Sequence, residues 1–304
     1  MLQKFRSFSF TKHFKIFACV SFLLVITGVV SLVLSIFGVN LFNFDVDFTG
    51  GTSCNFDLHQ PVDRSVVETV TKITKDVTGA SSVSVVSSND GEGVLIKTPE
   101  LDSETREALT KAVFEQYGMD ANDESDVVVN SVSPSVGDDL KKSAVIASVL
   151  AVLLILVYIA IRFEWRSGLA AVCCLVHDLL TMLSMYVIFQ IPFNTNFIAA
   201  ALTILGYSIN ATIVVFDRVR ENRRLAKPNE SFASVVDRSI WDTFTRSLNT
   251  TITTLLVMLM LLILGVDSIR NFALPLCIGI LCGCYSSVCV AGPLWNLFNG
   301  KKSK

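Results

Sequence analysis

Charge is scarce in this chain: Asp, Glu, Lys and Arg make up 17% of 304 residues, against 51% apolar. An ordinary soluble domain has about 25% charged residues, so a soluble globular class is excluded and a membrane class is the default. Histidine is rarer still, with 3 residues, and proline contributes 7. Paired sulfur ligands are missing as well. Of 8 cysteines, Cys19, Cys173, Cys174, Cys277, Cys282, Cys284 and Cys289 lie within apolar runs, and only Cys54 falls in the polar region. They lack the CxxC-type spacing with nearby His that a zinc site needs, so neither metal nor cofactor is expected and the cysteines read as small hydrophobes in helix packing. The Gly-x-x-x-x-Gly-Lys phosphate cradle is absent. Asp178 has no second intramembrane carboxylate, and no apolar run holds a Ser, His and Asp set with recognisable spacing. Hydrolase chemistry therefore has no carrier, and the chain is expected not to be an enzyme. Nothing in it points to nucleic acid.

What is abundant is apolar sequence in long runs. A hydrocarbon core about 30 Å thick takes roughly 20 helical residues to cross. Ile16 to Phe37, Ser143 to Ile161, Ser167 to Ile191, Phe197 to Phe216, Ser247 to Val266 and Asn271 to Gly300 meet that length. The third is uniform except for His177 and Asp178 near its middle. Six spans follow. The first is too long for a secretory signal core, and no small-residue cleavage pattern precedes Phe42. Basic residues crowd one side of the spans: Lys4, Arg6, Lys12 and Lys15, then Arg162 and Arg166, then Arg218, Arg220, Arg223, Arg224, Lys227, Arg238 and Arg246, and finally Lys301, Lys302 and Lys304. The positive-inside rule puts both termini in the cytoplasm of a multi-pass inner-membrane protein and Gly38 to Leu140 outside.

Most of the 27 acidic residues lie in that outward region, and its periodicities change from 2 to 3.6 and back. Thr52 to Leu58 alternates as a strand. Val62, Val66, Val67, Val70, Ile73 and Val77 share a helical face opening after Pro61. Ser82 to Val86 reads as a strand, Asn89-Asp90-Gly91 as a turn and Gly93 to Lys97 as another strand. Leu101 to Val113 forms a second helix capped by Asp102 or Ser103, and Asp126 to Val132 closes as a strand. The order βαββαβ predicts one α+β ferredoxin-like extracytoplasmic domain on a six-helix polytopic protein. The divisions expected are 1–38 for tail and first span, 39–139 for the outward domain, 140–300 for a five-helix bundle with cytoplasmic loop 217–246, and 301–304 for a basic tail. Within that loop Phe232, Val235, Val236, Ile240 and Phe244 share one helical face, opposite Asp237, Arg238 and Asp242. That pattern predicts an amphipathic helix lying on the membrane surface or docking a cytoplasmic partner.

At the exit of the first span stands Asn43-Phe-Asp-Val-Asp-Phe-Thr-Gly-Gly-Thr52, where Gly50 and Gly51 permit a sharp turn or hinge. With its Asp47, it is similar to the DFTGGT signature of the SecD/SecF family of protein-export membrane proteins. Ser133-Pro-Ser-Val-Gly137, Arg162-Phe-Glu-Trp-Arg166, His177-Asp178, Gly206-Tyr-Ser-Ile-Asn210, Thr212 to Asn222, Thr245 to Thr254 and Tyr285-Ser-Ser287 also resemble that family. The likeness spans the chain, and the single small domain favours the SecF branch. It implies a subunit that works with SecD, the SecYEG channel and often YajC. The implied role is proton-motive-force-driven pulling or release of exported polypeptide outside the bilayer. Two positions depart from the pattern: Asp45 replaces a Gly, and Ala211 replaces the acidic residue of the fourth span. The competing reading is a stand-alone proton-coupled exporter of the wider resistance-nodulation-division superfamily, disfavoured by half the usual twelve helices and a small domain.

An ionised group inside hydrocarbon is costly unless paired or hydrated. His177 and Asp178 are therefore either a proton relay or gate, or a hydrogen-bonded pair holding helices together. Asn210 either glues helices or lines an ion path. Arg246 either snorkels to the cytoplasmic head groups or, as the resemblance implies, supplies the counter-charge to the acidic relay. Asn249, Thr250, Thr253 and Thr254 continue its polar face.

Overall fold

The computed structural model describes residues 8–39, 41–80, 83–88, 91–119, 126–265 and 267–299. Expectations on Lys4, Arg6, Ser82, Asn89, Asp90, Val266, Gly300 and the basic tail lie outside them. The chain divides into two compact units, Phe44–Ile146 and a second made of Met1–Asn43 with Ala147–Lys304.

The smaller unit contains a four-stranded antiparallel sheet. Its elements are the short turn of helix α2 (Val46–Thr49), β1 (Gly51–Asp57), α3 (Arg64–Thr78), β2 (Ser84–Ser88), β3 (Gly93–Thr98), α4 (Ser103–Tyr117) and β4 (Val127–Val132). The strand order is β2-β3-β1-β4, with Cys54 opposite both Ile96 and Val129. Alternation along β1 and β3 turns Cys54, Phe56, Val94 and Ile96 toward the helices. They meet Val70 of α3 and Leu109, Val113 and Phe114 of α4 in one core. Helix α3 starts three residues after Pro61 because Asp63 is its cap, accepting from Val66 N at 2.9 Å, while Val62 N is occupied by Gly91 O at 2.7 Å. Asp102 caps α4 through Thr105 N at 2.8 Å, deciding between the two cap candidates. Gly79 and Gly118 end the helices in the left-handed region.

Among the described residues, six helices are long and apolar enough to cross a membrane. They are α1 (Phe14–Ile36), α5 (Pro134–Arg162), α6 (Trp165–Ile188), α7 (Thr195–Arg224), α8 (Phe232–Leu264), and a composite of α9 (Asp267–Tyr285), a π-helical turn (Ser286–Ala291) and α10 (Gly292–Asn299). Pro293, which brings no N–H and whose ring crowds the carbonyl four residues back, lies just after the π turn.

Helices α6, α7 and α9 form the interior, while α1, α5 and α8 present rows of exposed Val, Leu and Ile. Only a lipid or protein environment tolerates such faces. Small residues set the closest approaches. A Cβ on Gly28 of α1 would lie 2.5 Å from Leu180 O of α6, and Gly28 N–H donates to Ser184 Oγ at 2.7 Å. Gly279 and Gly283 bring α9 onto Ile204 and Ser208 of α7 in the same way.

One expectation is corrected. Residues 217–246 are mostly helical, with α7 running to Arg224 and α8 beginning at Phe232. The apolar face of Ser231 to Phe244 does not lie on a membrane surface. Val235, Val236 and Ile240 are buried in the core with Phe216 and Trp295, and Arg218 reaches across to Asp242 at 2.9 Å. The amphipathic pattern records a helix–helix contact, because a stripe of this width is satisfied equally by lipid or by another helix.

Candidate functional site

Asp178 sits midway along α6 and is fully buried. Its carboxylate accepts three hydrogen-bonding neighbours from three stretches of chain. His177 Nδ1 lies 2.9 Å from Oδ1, while Oδ2 receives the hydroxyl of Ser286 at 2.8 Å and that of Ser208. Ser286 is the first residue of the π turn, and Ser208 stands beside Gly283, where a Cβ would come within 3.2 Å of its own. The close α7–α9 packing thus delivers both hydroxyls to one carboxylate. No cation other than His177 approaches Asp178 among the described residues. Hydrogen bonds therefore balance the cost of a carboxyl at this depth.

His177 extends the group. Its Nε2 is buried and has no hydrogen-bond partner among the described residues. Its ring lies 6.0 Å from that of Tyr285, whose hydroxyl donates to Phe17 O at 2.8 Å and meets Ser21 Oγ at 3.3 Å on α1. The group thus touches α1, α6, α7 and the π turn.

The remaining intramembrane candidates lie elsewhere. Asn210, Ala211 and Arg246 line an open pocket of about 100 Å³ between α7 and α8, with Tyr207, Ser247, Thr251 and Ser287. Tyr207 donates to Thr251 Oγ1 at 3.0 Å across it. Arg246 is exposed and makes no ion pair among the described residues, and Ala211 offers none. The buried cluster and the pocket stand back to back: Ser208 and Ser286 face Asp178, while their neighbours Tyr207 and Ser287 line the pocket. Sequence reading passed over both serines, although each stood inside a quoted motif; a hydroxyl in an apolar span was the available signal.

In the smaller unit, Asp45 caps α2 through Val46 N at 2.9 Å and lies 3.2 Å from Lys97 Nζ. Gly51 opens β1 with φ +123, and a Cβ there would lie 2.3 Å from Thr98 O. A Cβ on Gly137 of α5 would lie 3.4 Å from both Asp47 O and Gly50 N. Two motifs nearly ninety residues apart in sequence are thus packed side by side, with glycine leaving the space between them.

Residues 111–301 match the family described as protein export membrane protein SecD/SecF, C-terminal. The protein translocase subunit SecF of Acidaminococcus fermentans is 36% identical over 301 residues, covering 97% of this chain and 99% of the relative. The SecF of Sebaldella termitidis is 36% identical over 86% of this chain and 88% of its own. The protein translocase subunit SecDF of Bacillus subtilis is 35% identical over 99% of this chain, which spans 39% of that longer protein. Among solved structures, SecDF from Thermus thermophilus, a translocon-associated membrane protein, superposes with TM-score 0.81 at 32% identity, covering 97% of this chain and 39% of that one. Such identity over nearly the whole of a SecF relative leaves one assignment: the chain belongs to the SecD/SecF family of protein export membrane proteins, as a member of its SecF type.

Proposed function

We propose that this SecF-type translocase subunit supports late-stage, proton-motive-force-driven movement of exported polypeptide, and that the Asp178–His177 pair is its charge-changing site. The family match supports the translocation role. Fused relatives that hold SecD and SecF in one chain support a SecD-type partner. The SecYEG channel, YajC and unfolded exported chains complete the proposed assembly. The unit Phe44–Ile146 is a ferredoxin-like domain outside the inner membrane, with both termini in the cytoplasm, as the basic-residue asymmetry requires. The stand-alone exporter reading loses ground because the relatives are translocase subunits.

The observation that carries the mechanism is the buried carboxylate bonded to its neighbour His177 on α6 and to hydroxyls from two other segments, α7 and the π turn. Protonation of Asp178 removes a charge and weakens its acceptor strength toward Ser208 and Ser286, which alters the packing of α7 and α9 against α6. Arg246 in the neighbouring pocket meets no carboxylate among the described residues, and Ala211 beside it offers none; an acidic residue of the SecD-type partner fills that role. Membrane vesicles with an imposed proton gradient test the scheme. Asp178→Asn should abolish gradient-stimulated export while leaving the basal rate and complex assembly intact. Unchanged stimulation makes the pair structural and moves coupling to the partner. A several-fold gain in Ala211→Asp would show that the alanine limits coupling in this chain.

A further inference from the structure

One end of the sheet in the smaller unit gathers three acidic residues around a single imidazole. His59 follows β1 in a left-handed conformation, φ 51, held by its own N–H donating to Asp57 Oδ1 at 3.2 Å. Its Nδ1 lies 3.5 Å from the same carboxylate, and Nε2 lies 3.0 Å from Asp126 Oδ1 just before β4. Glu92, preceding β3, adds a third and weaker negative charge at this end of the sheet, and its carbonyl accepts Leu58 N–H at 2.9 Å. Among the described residues, the charges that bear on His59 come from the end of β1 and the starts of β3 and β4, and all are negative.

We propose that His59 is a proton-operated clasp. As imidazolium it ties the start of β4 to the β1–α3 loop; as neutral imidazole it leaves three carboxylates gathered without a cation. A non-glycine residue in the left-handed region is retained where its surroundings over-determine it, and here the determining contacts are the two aspartates. The hydrogen bond to Asp126, then the charges of Asp57, Asp126 and Glu92, raise the imidazole above its ordinary 6.5. The sign follows. The clasp is fully closed below about pH 6.5 and is released as pH climbs through the raised value, a window that an outward-facing domain on the acidic side of a proton gradient crosses. The sensing role rests on the outward placement proposed above; the clasp itself is independent of it.

The test uses the full chain in detergent micelles. Amide hydrogen exchange at Leu58, Val62 and Val127 would be followed at pH 5.5 and 8.5, corrected for intrinsic exchange, beside the NMR titration of the His59 ring. Protection should be about threefold greater at the lower pH, the scale of an exposed ion pair. That difference should vanish in His59→Gln, and Asp126→Asn should lower the titration midpoint. An unaltered pH difference in His59→Gln, or a ring that titrates at or below 6.5, would overturn the clasp. Either reading is obtained whichever side of the membrane the domain occupies, so failure here is distinguishable from failure of the topology.

Discussion

Two polar side chains deep in apolar surroundings show how differently burial acts. Asp178 keeps its carboxyl buried because hydroxyls of Ser208 and Ser286 converge on it. Cys54 has no such donors: its side chain is sealed in the domain core, and burial pushes the thiol up from 9.0 to about 11. The thiolate is the reactive form, so Cys54 should alkylate at pH 8 about 100-fold more slowly than an ordinary thiol from ionisation alone. Urea should restore the ordinary rate. Timed maleimide labelling of a variant that retains only this cysteine checks both, and fast labelling of the folded protein would contradict the packing described. As lone thiol of the domain, Cys54 looks in sequence like a handy orientation probe; its burial disqualifies it.

Helices and strands are positioned here chiefly by what glycine leaves out. Gly28 lets α1 touch backbone atoms of α6, with Leu180 O only 2.5 Å from a Cβ position. Backbone cannot retreat as a flexible side chain does, so Gly28→Ala should cost about 1–3 kcal/mol. Unfolding in mixed micelles at increasing SDS would measure it, and a cost near zero would mean that α1 is loosely held. Gly51 combines the same kind of close approach, to Thr98 O, with a positive φ. Gly91 has φ +96 but open space around its Cβ position, which makes it the natural control. Gly91→Ala should cost about 1 kcal/mol through backbone strain alone, and Gly51→Ala about 2–4 kcal/mol. Equal losses in denaturant titrations would show that the contact with β3 contributes nothing. A hinge at the glycine pair would have to pivot at Gly50, since Gly51 is already paired with Val132 in the sheet.

For the assembled protein, orientation is the property that organises all others. Val128 and Leu225 are both well exposed, the first on β4 and the second in the turn between α7 and α8. In a cysteine-free background, an impermeant maleimide added to intact spheroplasts should label Val128→Cys and spare Leu225→Cys until the membrane is opened. The reverse pattern would invert the topology. Arg246, without an ion pair among the described residues and beside Ala211, also predicts that the SecD-type partner is needed to complete the pocket. Extraction in mild detergent should recover that partner with the chain, and Arg246→Ala should weaken recovery several-fold. Unchanged recovery would place the pocket outside the partner interface.

Long apolar runs, strand and helix periods, and family motifs were all legible along the chain because each depends on neighbours within a few residues. Lengths of about 20 apolar residues specify spans, and local backbone chemistry narrowed the start of α4 to Asp102 or Ser103, while the cap at Asp63 and the ends at Gly79 and Gly118 came from the structure. Partnership was not legible. The stripe at Val235, Val236 and Ile240 fits a lipid surface as well as it fits Phe216 and Trp295, since hydrophobic burial has no direction. Nor could linear order tell that Asp178 would meet Ser208 and Ser286 while Asn210 and Arg246 faced a separate pocket. Those groupings go with the close packing of α9 on α7 at Gly279 and Gly283, next to the π turn that opens with Ser286. Hydrogen bonds between side chains act over about 3 Å, so only the packed helices decide which of them form.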